Sequence, residues 1–192
     1  MTTSSKPLSD CHGEHEFTLV LSGTAALTSE QEDSLFEAGC DDATIGLRNG
    51  RIYMIFSREA KDLASAIISA IDDINKAKIG LEVLRVDYCD LVTIADIAKR
   101  TDRTRQCIHQ YITGARGPKG FPPPECSISD DQSLWRWCDV ANWLLANQMI
   151  TPCEQKDANF VQILNDALSF ARQKRENPEL VAAVSRCVPC GQ

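Results

Sequence analysis

The chain has 192 residues, one to two domains' worth at roughly 100–200 residues per domain, and 43% of them are hydrophobic, enough for a packed core. Its 24% of charged residues is ordinary for a globular protein, and no run approaches the roughly 18 apolar residues of a membrane-spanning helix, which excludes a helical membrane protein. The net charge of −7 disfavours nucleic acid only if it is evenly spread, and it is not: residues 1–90 hold 8 Lys and Arg against 16 Asp and Glu, whereas residues 91–147 hold 7 against 6.

Residues 1–15 are polar and read as a disordered tail, without the charged-then-apolar pattern of a secretory signal; the expected location is the cytoplasm. A Phe-, Leu- and Val-rich run over 16–21 predicts a strand. Thr28 and Gln31 stand at capping-box spacing for a helix that Gly39 stops. Strand-like runs at 43–48 and 51–57 flank Asn49-Gly50, a dipeptide that accepts the positive φ angles of a hairpin turn. Residues 58–78 place Ala60, Leu63, Ala64, Ile67, Ile71 and Ile74 at helical spacing, with Gly80 as the stop and a last strand at 81–86. The order β-α-β-β-α-β over 16–90 predicts a ferredoxin-like sheet with both helices on one face.

Thr93 caps a predicted helix at 94–100, and a second helix at 104–113 sorts Cys107, Ile108, Tyr111 and Ile112 to one side. Its other side carries Arg105, Gln106, His109, Gln110 and Thr113. Two short helices joined by a few residues predict a helix-turn-helix. The loop 114–124 is punctuated by Gly and Pro around Arg116, Lys119 and Phe121, followed by a hairpin of 125–128 and 134–137 about a turn at 129–132. Asp139 is the expected cap of a helix carrying Val140, Trp143 and Leu144. Residues 91–148 thus read as a winged helix-turn-helix domain, with Trp135, Trp137 and Trp143 in its core.

The segment 149–192 is expected to be helical twice. Phe160, Ile163, Leu164, Ala167, Leu168 and Ala171 form an apolar stripe over 154–175, and Asn177-Pro178 breaks the pattern before a short helix and a mobile tail. The expected class is α+β.

"LVTIADIAKRTDRTRQCIHQYI", "GFPPPE" and "LWRWCDVANWL" together make residues 91–145 resemble the winged helix-turn-helix of the MerR superfamily, in particular its excisionase-like and AlpA-like members. In that resemblance Ala98 packs at the tight turn, while Trp135, Arg136 and Asp139 link the wing to the next helix. Asp102 stands where a turn glycine is commoner, and Arg103 where an apolar residue is usual.

Residues 99–119 set Lys99, Arg100, Arg103, Arg105, Arg116 and Lys119 against Asp102 alone, an electrostatic footprint suited to DNA. The expected function is sequence-specific binding of double-stranded DNA, as a transcriptional regulator and not an enzyme. Arg105, Gln106, His109 and Gln110 would read base edges in the major groove; Arg100, Arg103, Thr104, Arg116, Lys119 and Arg136 would touch phosphates. A homodimer is expected, through the C-terminal stripe or the sheet edge, with recognition helices about 34 Å apart. The alternative is an adaptor or antitoxin-like protein that binds a protein partner through the acidic N-terminal domain or the C-terminal helices.

No cofactor is expected. Cys187 and Cys190 have zinc-ligand spacing but form a single CxxC, which alone makes a weak metal candidate, even with Cys11, His12 and His15 at the other end of the chain. A disulfide framework is not expected in an odd count of nine cysteines; Cys40, Cys89, Cys107 and Cys138 read as small core residues. The acid pairs Asp41-Asp42 and Asp72-Asp73 lack a neighbouring His or Ser in any catalytic motif and read as surface charge.

Overall fold

The structure, a computed structural model, describes residues 13–23, 25–126 and 133–188. It is a mixed α+β protein. The described chain divides into two compact units, residues 13–87 with 163–188, and residues 88–162. No described helix is long and apolar enough to cross a membrane.

The first unit is built on β1 (Gly13–Leu21), α1 (Ser29–Glu37), β2 (Ala43–Arg48), β3 (Arg51–Ala60), α2 (Leu63–Ala77) and β4 (Val83–Val86). Its sheet has the order β2-β3-β1-β4, and every neighbouring pair is antiparallel. Period-two alternation sends Phe17, Leu19 and Leu21 to the same side as Ile52, Met54 and Phe56, and all six are buried. Thr28 and Gln31 close the expected capping box on α1, and Asn49 (φ 50°) with Gly50 (φ 70°) makes the β2–β3 turn.

Three expectations are corrected here. Gly13, Glu14 and His15 belong to β1 instead of the predicted tail. The left-handed residue that ends α2 is Lys78 (φ 51°), ahead of Gly80. Arg58 does not open a helix: β3 continues through it to Ala60, and α2 starts five residues later behind the Asp62 cap.

Arg58 explains the longer strand. It is 9% exposed, and every one of its donors is used: Nε (2.6 Å) and Nη2 (2.9 Å) bond Asp42 as a fork, Nη1 bonds Asp73 (2.9 Å) and Ser69 (3.0 Å), and Nη2 also reaches the Gly39 carbonyl (2.7 Å). Asp42 and Asp73, read from sequence as surface charge, are therefore structural. The hydrogen bonds that Arg58 donates to Asp42 hold its guanidinium charged, well above its ordinary range. Neighbouring Cys40 is buried as expected, and burial, reinforced by Asp73, pushes its thiol up to about 11.

The β4 edge of the sheet is closed by a side chain. Val86 donates its N–H to Asn165 Oδ1 (2.8 Å), and Asn165 Nδ2 donates to the Val86 carbonyl (3.2 Å). Asn165 lies on α6 (Pro152–Glu176), where the predicted stripe is rotated: Ala158, Val161 and Asn165 are buried, while Ile163 is 68% exposed. Asn165, outside the predicted stripe, is buried where it partners the strand-edge amide and carbonyl. Asn165→Leu should destabilise this unit by about 2 kcal/mol, read by urea denaturation, since both Val86 groups lose their bonds.

The second unit comprises β5 (Leu91–Val92), α3 (Ile94–Arg100), α4 (Arg105–Ile112), β6 (Trp135–Arg136), α5 (Trp137–Ala146) and the start of α6. β6 pairs antiparallel with β5, and a further bridge joins Cys126 to Leu134; the predicted turn at 129–132 lies outside the described residues. Asp139 is not the cap of α5. The helix begins two residues earlier, where the Trp137 N–H donates to the Asp90 carbonyl (2.8 Å), and Asp139 sits in the first turn. The core holds Val92, Ile97, Ala98, Ile108, Tyr111, Val140, Leu144 and Ala158, with all three tryptophans buried as expected.

The segment 149–192, expected to stand apart, divides instead at residue 162 between the two units. α7 (Pro178–Cys187) follows α6 and buries no residue.

Candidate nucleic-acid interface

Local sequence fixes α3, the turn and α4. Thr93 and Asp96 cap α3 reciprocally, Thr93 N–H to Asp96 Oδ2 (2.9 Å) and Asp96 N–H to Thr93 Oγ1 (3.2 Å), and the Thr93 hydroxyl (2.7 Å to Oδ2), followed by its backbone N–H, holds the Asp96 carboxyl below its usual range. Asp102 takes the left-handed conformation (φ 50°), so that Arg103 N–H returns to the Ala98 carbonyl (2.9 Å) and closes the helix end. Thr104 Oγ1 then caps α4 by accepting from Cys107 N–H (3.1 Å). Ala98, whose carbonyl takes the bond from Arg103, is 4% exposed.

The two faces of α4 separate cleanly. Ile108 and Tyr111 are buried, and Cys107 and Ile112 pack against the core. Arg105, Gln106 and His109 are exposed and Gln110 half-buried; among the described residues no side-chain hydrogen bond or ion pair engages any of the four. A groove of about 590 Å³ runs between the start of α3, α4 and β6, lined by Thr93, Ile94, Ala95, Arg105, Gln106, His109, Ser133 and Trp135. A second, of about 520 Å³, lies on the other flank of α4 and includes Arg103, Thr104, Gln106, Gln110, Arg116 and Gly117. Gln106 forms the ridge between them.

The loop after α4 is held from below. Trp143 Nε1 donates to the Lys119 carbonyl (3.1 Å), Trp135 Nε1 to the Pro122 carbonyl (3.1 Å), and the Phe121 ring meets Trp143 edge-on at 5.0 Å. Fixed backbone therefore presents the exposed side chains of Arg116 and Lys119. Gly117 (φ 86°) is required, because a Cβ there would come within 2.4 Å of the Tyr111 ring. Gly117→Ala should cost about 2 kcal/mol, seen as a lowered melting temperature.

The structure separates the other expected phosphate contacts. Arg100 turns inward: its guanidinium lies 4.0 Å from the Tyr88 ring centre and 4.8 Å from that of Trp137, and Nη2 donates to the Cys89 carbonyl (3.0 Å). Cation–π packing on two rings competes with the expected phosphate contact. Arg103 donates to the Tyr111 hydroxyl (3.2 Å), and its buried Nε has no hydrogen-bond partner among the described residues. Arg136 pairs with Glu125 at 3.0 Å, both side chains nearly half-exposed, so the pair contributes little and is open to exchange. Lys99 is exposed on α3 beside this surface; the local charge count contained the signal, but no contact was assigned to it.

Cys89 is exposed, against the core expectation, whereas Cys107 and Cys138 are half-buried. Cys153 is disulfide-bonded, although the sequence predicts no disulfide framework. Cys187 is exposed; Cys190 of the same CxxC, and Cys11 and His12, lie outside the described residues. Among the described residues no group of three His, Cys, Asp or Glu is placed to hold a metal ion.

No family model matches the chain, and searches of curated proteins and of solved structures give no match.

Proposed function

We propose that the chain binds double-stranded DNA sequence-specifically and regulates transcription in the cytoplasm, with α4 in the major groove and the loop carrying Arg116 and Lys119 against the backbone. The observation that carries this reading is the unengaged face of α4: a guanidinium, an amide and an imidazole project from a helix whose other face is locked in a core. Arg and Gln have the donor geometry for bidentate contacts to guanine and adenine edges. The capped α3–turn–α4 and the β5–β6 pairing support assignment to a MerR-like winged helix-turn-helix. The order β2-β3-β1-β4 supports a ferredoxin-like arrangement for the first unit.

A second reading, a protein-binding adaptor, is favoured by the exposed apolar side chains Ile163, Phe170, Leu180 and Val184 on α6 and α7. A second copy of the chain would reconcile the two readings by linking two DNA-binding units. Selection from random duplex DNA tests the proposal. One enriched site is the expected result, an inverted repeat if the chain is dimeric; no enrichment at low salt overturns DNA recognition.

A further inference from the structure

The two edges of the four-stranded sheet are treated differently. At β4 the backbone of Val86 is closed by the Asn165 amide. At β2 the alternation of the ladder, set by the bond from Ser57 N–H to the Asp42 carbonyl, leaves the N–H and C=O of Ile45 and Leu47 directed away from β3. No described strand pairs with that side.

The open edge borders a groove. Between α1 and β2 a cavity of about 360 Å³ is lined by Leu35, Phe36, Ala43 and Ile45, with Glu32 and Asp33 among its acidic neighbours. Phe36 is 66% and Leu47 45% exposed, although both lie where burial would be favourable. Asp41 adds a third carboxylate, and among the described residues none of the three acids forms an ion pair. Arg48, the cation on β2, shares the opposite sheet face with its partner Arg51.

We propose that the β2 edge is a docking site for an extended basic peptide segment of another protein, which adds to the sheet as a fifth strand and seats an apolar side chain against Phe36. Strand addition supplies main-chain bonds to Ile45 and Leu47, and alternate side chains of the incoming strand face α1, where one apolar group fills the groove and flanking cations meet Glu32, Asp33 and Asp41. Charge selects this occupant over a second copy, because two β2 edges related by a two-fold axis would set these acids against themselves. The site is independent of DNA binding.

The probe is a fluorescein-labelled heptapeptide in which lysine, lysine, isoleucine and lysine occupy alternate positions, separated by threonine. Saturable binding by the full-length protein is expected, with slowed hydrogen exchange at the Ile45 and Leu47 amides. Phe36→Ser, and separately Glu32→Lys with Asp33→Lys, should each weaken binding at least tenfold. Leu47→Pro removes an outward donor without touching the β2–β3 ladder, so it should abolish binding while leaving the melting temperature nearly unchanged. Equal binding by a proline-containing peptide, or by the Leu47→Pro variant, would reduce the effect to charge attraction and overturn strand addition. Absence of saturable binding at millimolar peptide also overturns it, as does a homodimer that Leu47→Pro dissociates, which would give the edge to a second copy.

Discussion

Replacing Arg58 by methionine should destabilise the sheet-bearing unit by about 3–5 kcal/mol, a large part of the 5–15 kcal/mol typical of a whole domain. The loss follows from what remains. Asp42 and Asp73, with side chains 26% and 16% exposed, would keep their charges in a half-dry setting without the cation that bridges them, Asp42 losing two charge-assisted bonds and Asp73 retaining only its bond from Lys76. Methionine restores much of the volume against Phe56, over whose ring the guanidinium now lies at 5.1 Å, so the cost is electrostatic more than steric. Two further variants separate these effects. Arg58→Lys retains charge but not the fork to Asp42, and should recover only part of the stability. Combining Arg58→Met with Asp42→Leu and Asp73→Leu removes the whole cluster and should recover most of it. Urea denaturation with unchanged slope checks the series; a triple variant no better than the single one would show that packing, not uncompensated charge, dominates.

Arg58 also marks where the sequence ceases to be legible. Capping by Thr28 and Thr93 and the Asn49-Gly50 turn are decided within four residues, and each stands where the sequence predicts it, whereas Thr104, predicted as the first residue of α4, is its cap. The face of α4 is equally local, because periodicity alone divides Ile108 and Tyr111 from Arg105, Gln106 and His109. Arg58 depends on acids 16 and 15 residues away in sequence, so it reads as the start of a helix when it is in fact the strand's buried anchor. Asn165 depends on Val86, 79 residues away, and nothing in its own helix tells that a polar side chain belongs inside. The setting of Arg100 is hidden for the same reason: its helix position is exposed by periodicity, but Tyr88 and Trp137 arrive from outside the helix to cover it. The α5 start was displaced by a backbone bond to Asp90, a partner 47 residues earlier that no capping rule contains.

Arg105→Ala should weaken binding to the selected DNA site by about 1–3 kcal/mol, roughly 5–150-fold, and relax discrimination at one base pair while leaving other sequences nearly unaffected. Lys119→Ala should act differently. Its ammonium projects from a loop whose carbonyl is tied to Trp143, so its removal leaves the backbone anchored and deletes one cation that would neutralise a phosphate. Affinity should then fall alike for all duplexes, and the slope of log K against log salt should flatten by about one unit. The contrast rests on placement: Arg105 lines the groove between α3, α4 and β6 where base edges would lie, whereas Lys119 stands outside both grooves flanking α4. Neither side chain has a hydrogen bond or ion pair among the described residues, so neither substitution should change the melting temperature appreciably. Binding measured at four salt concentrations, to the selected site and to single-base variants of it, separates the two effects. If both variants lost affinity uniformly and with the same salt slope, Arg105 would be a phosphate contact, and base readout would have to come from Gln106, His109 and Gln110 alone.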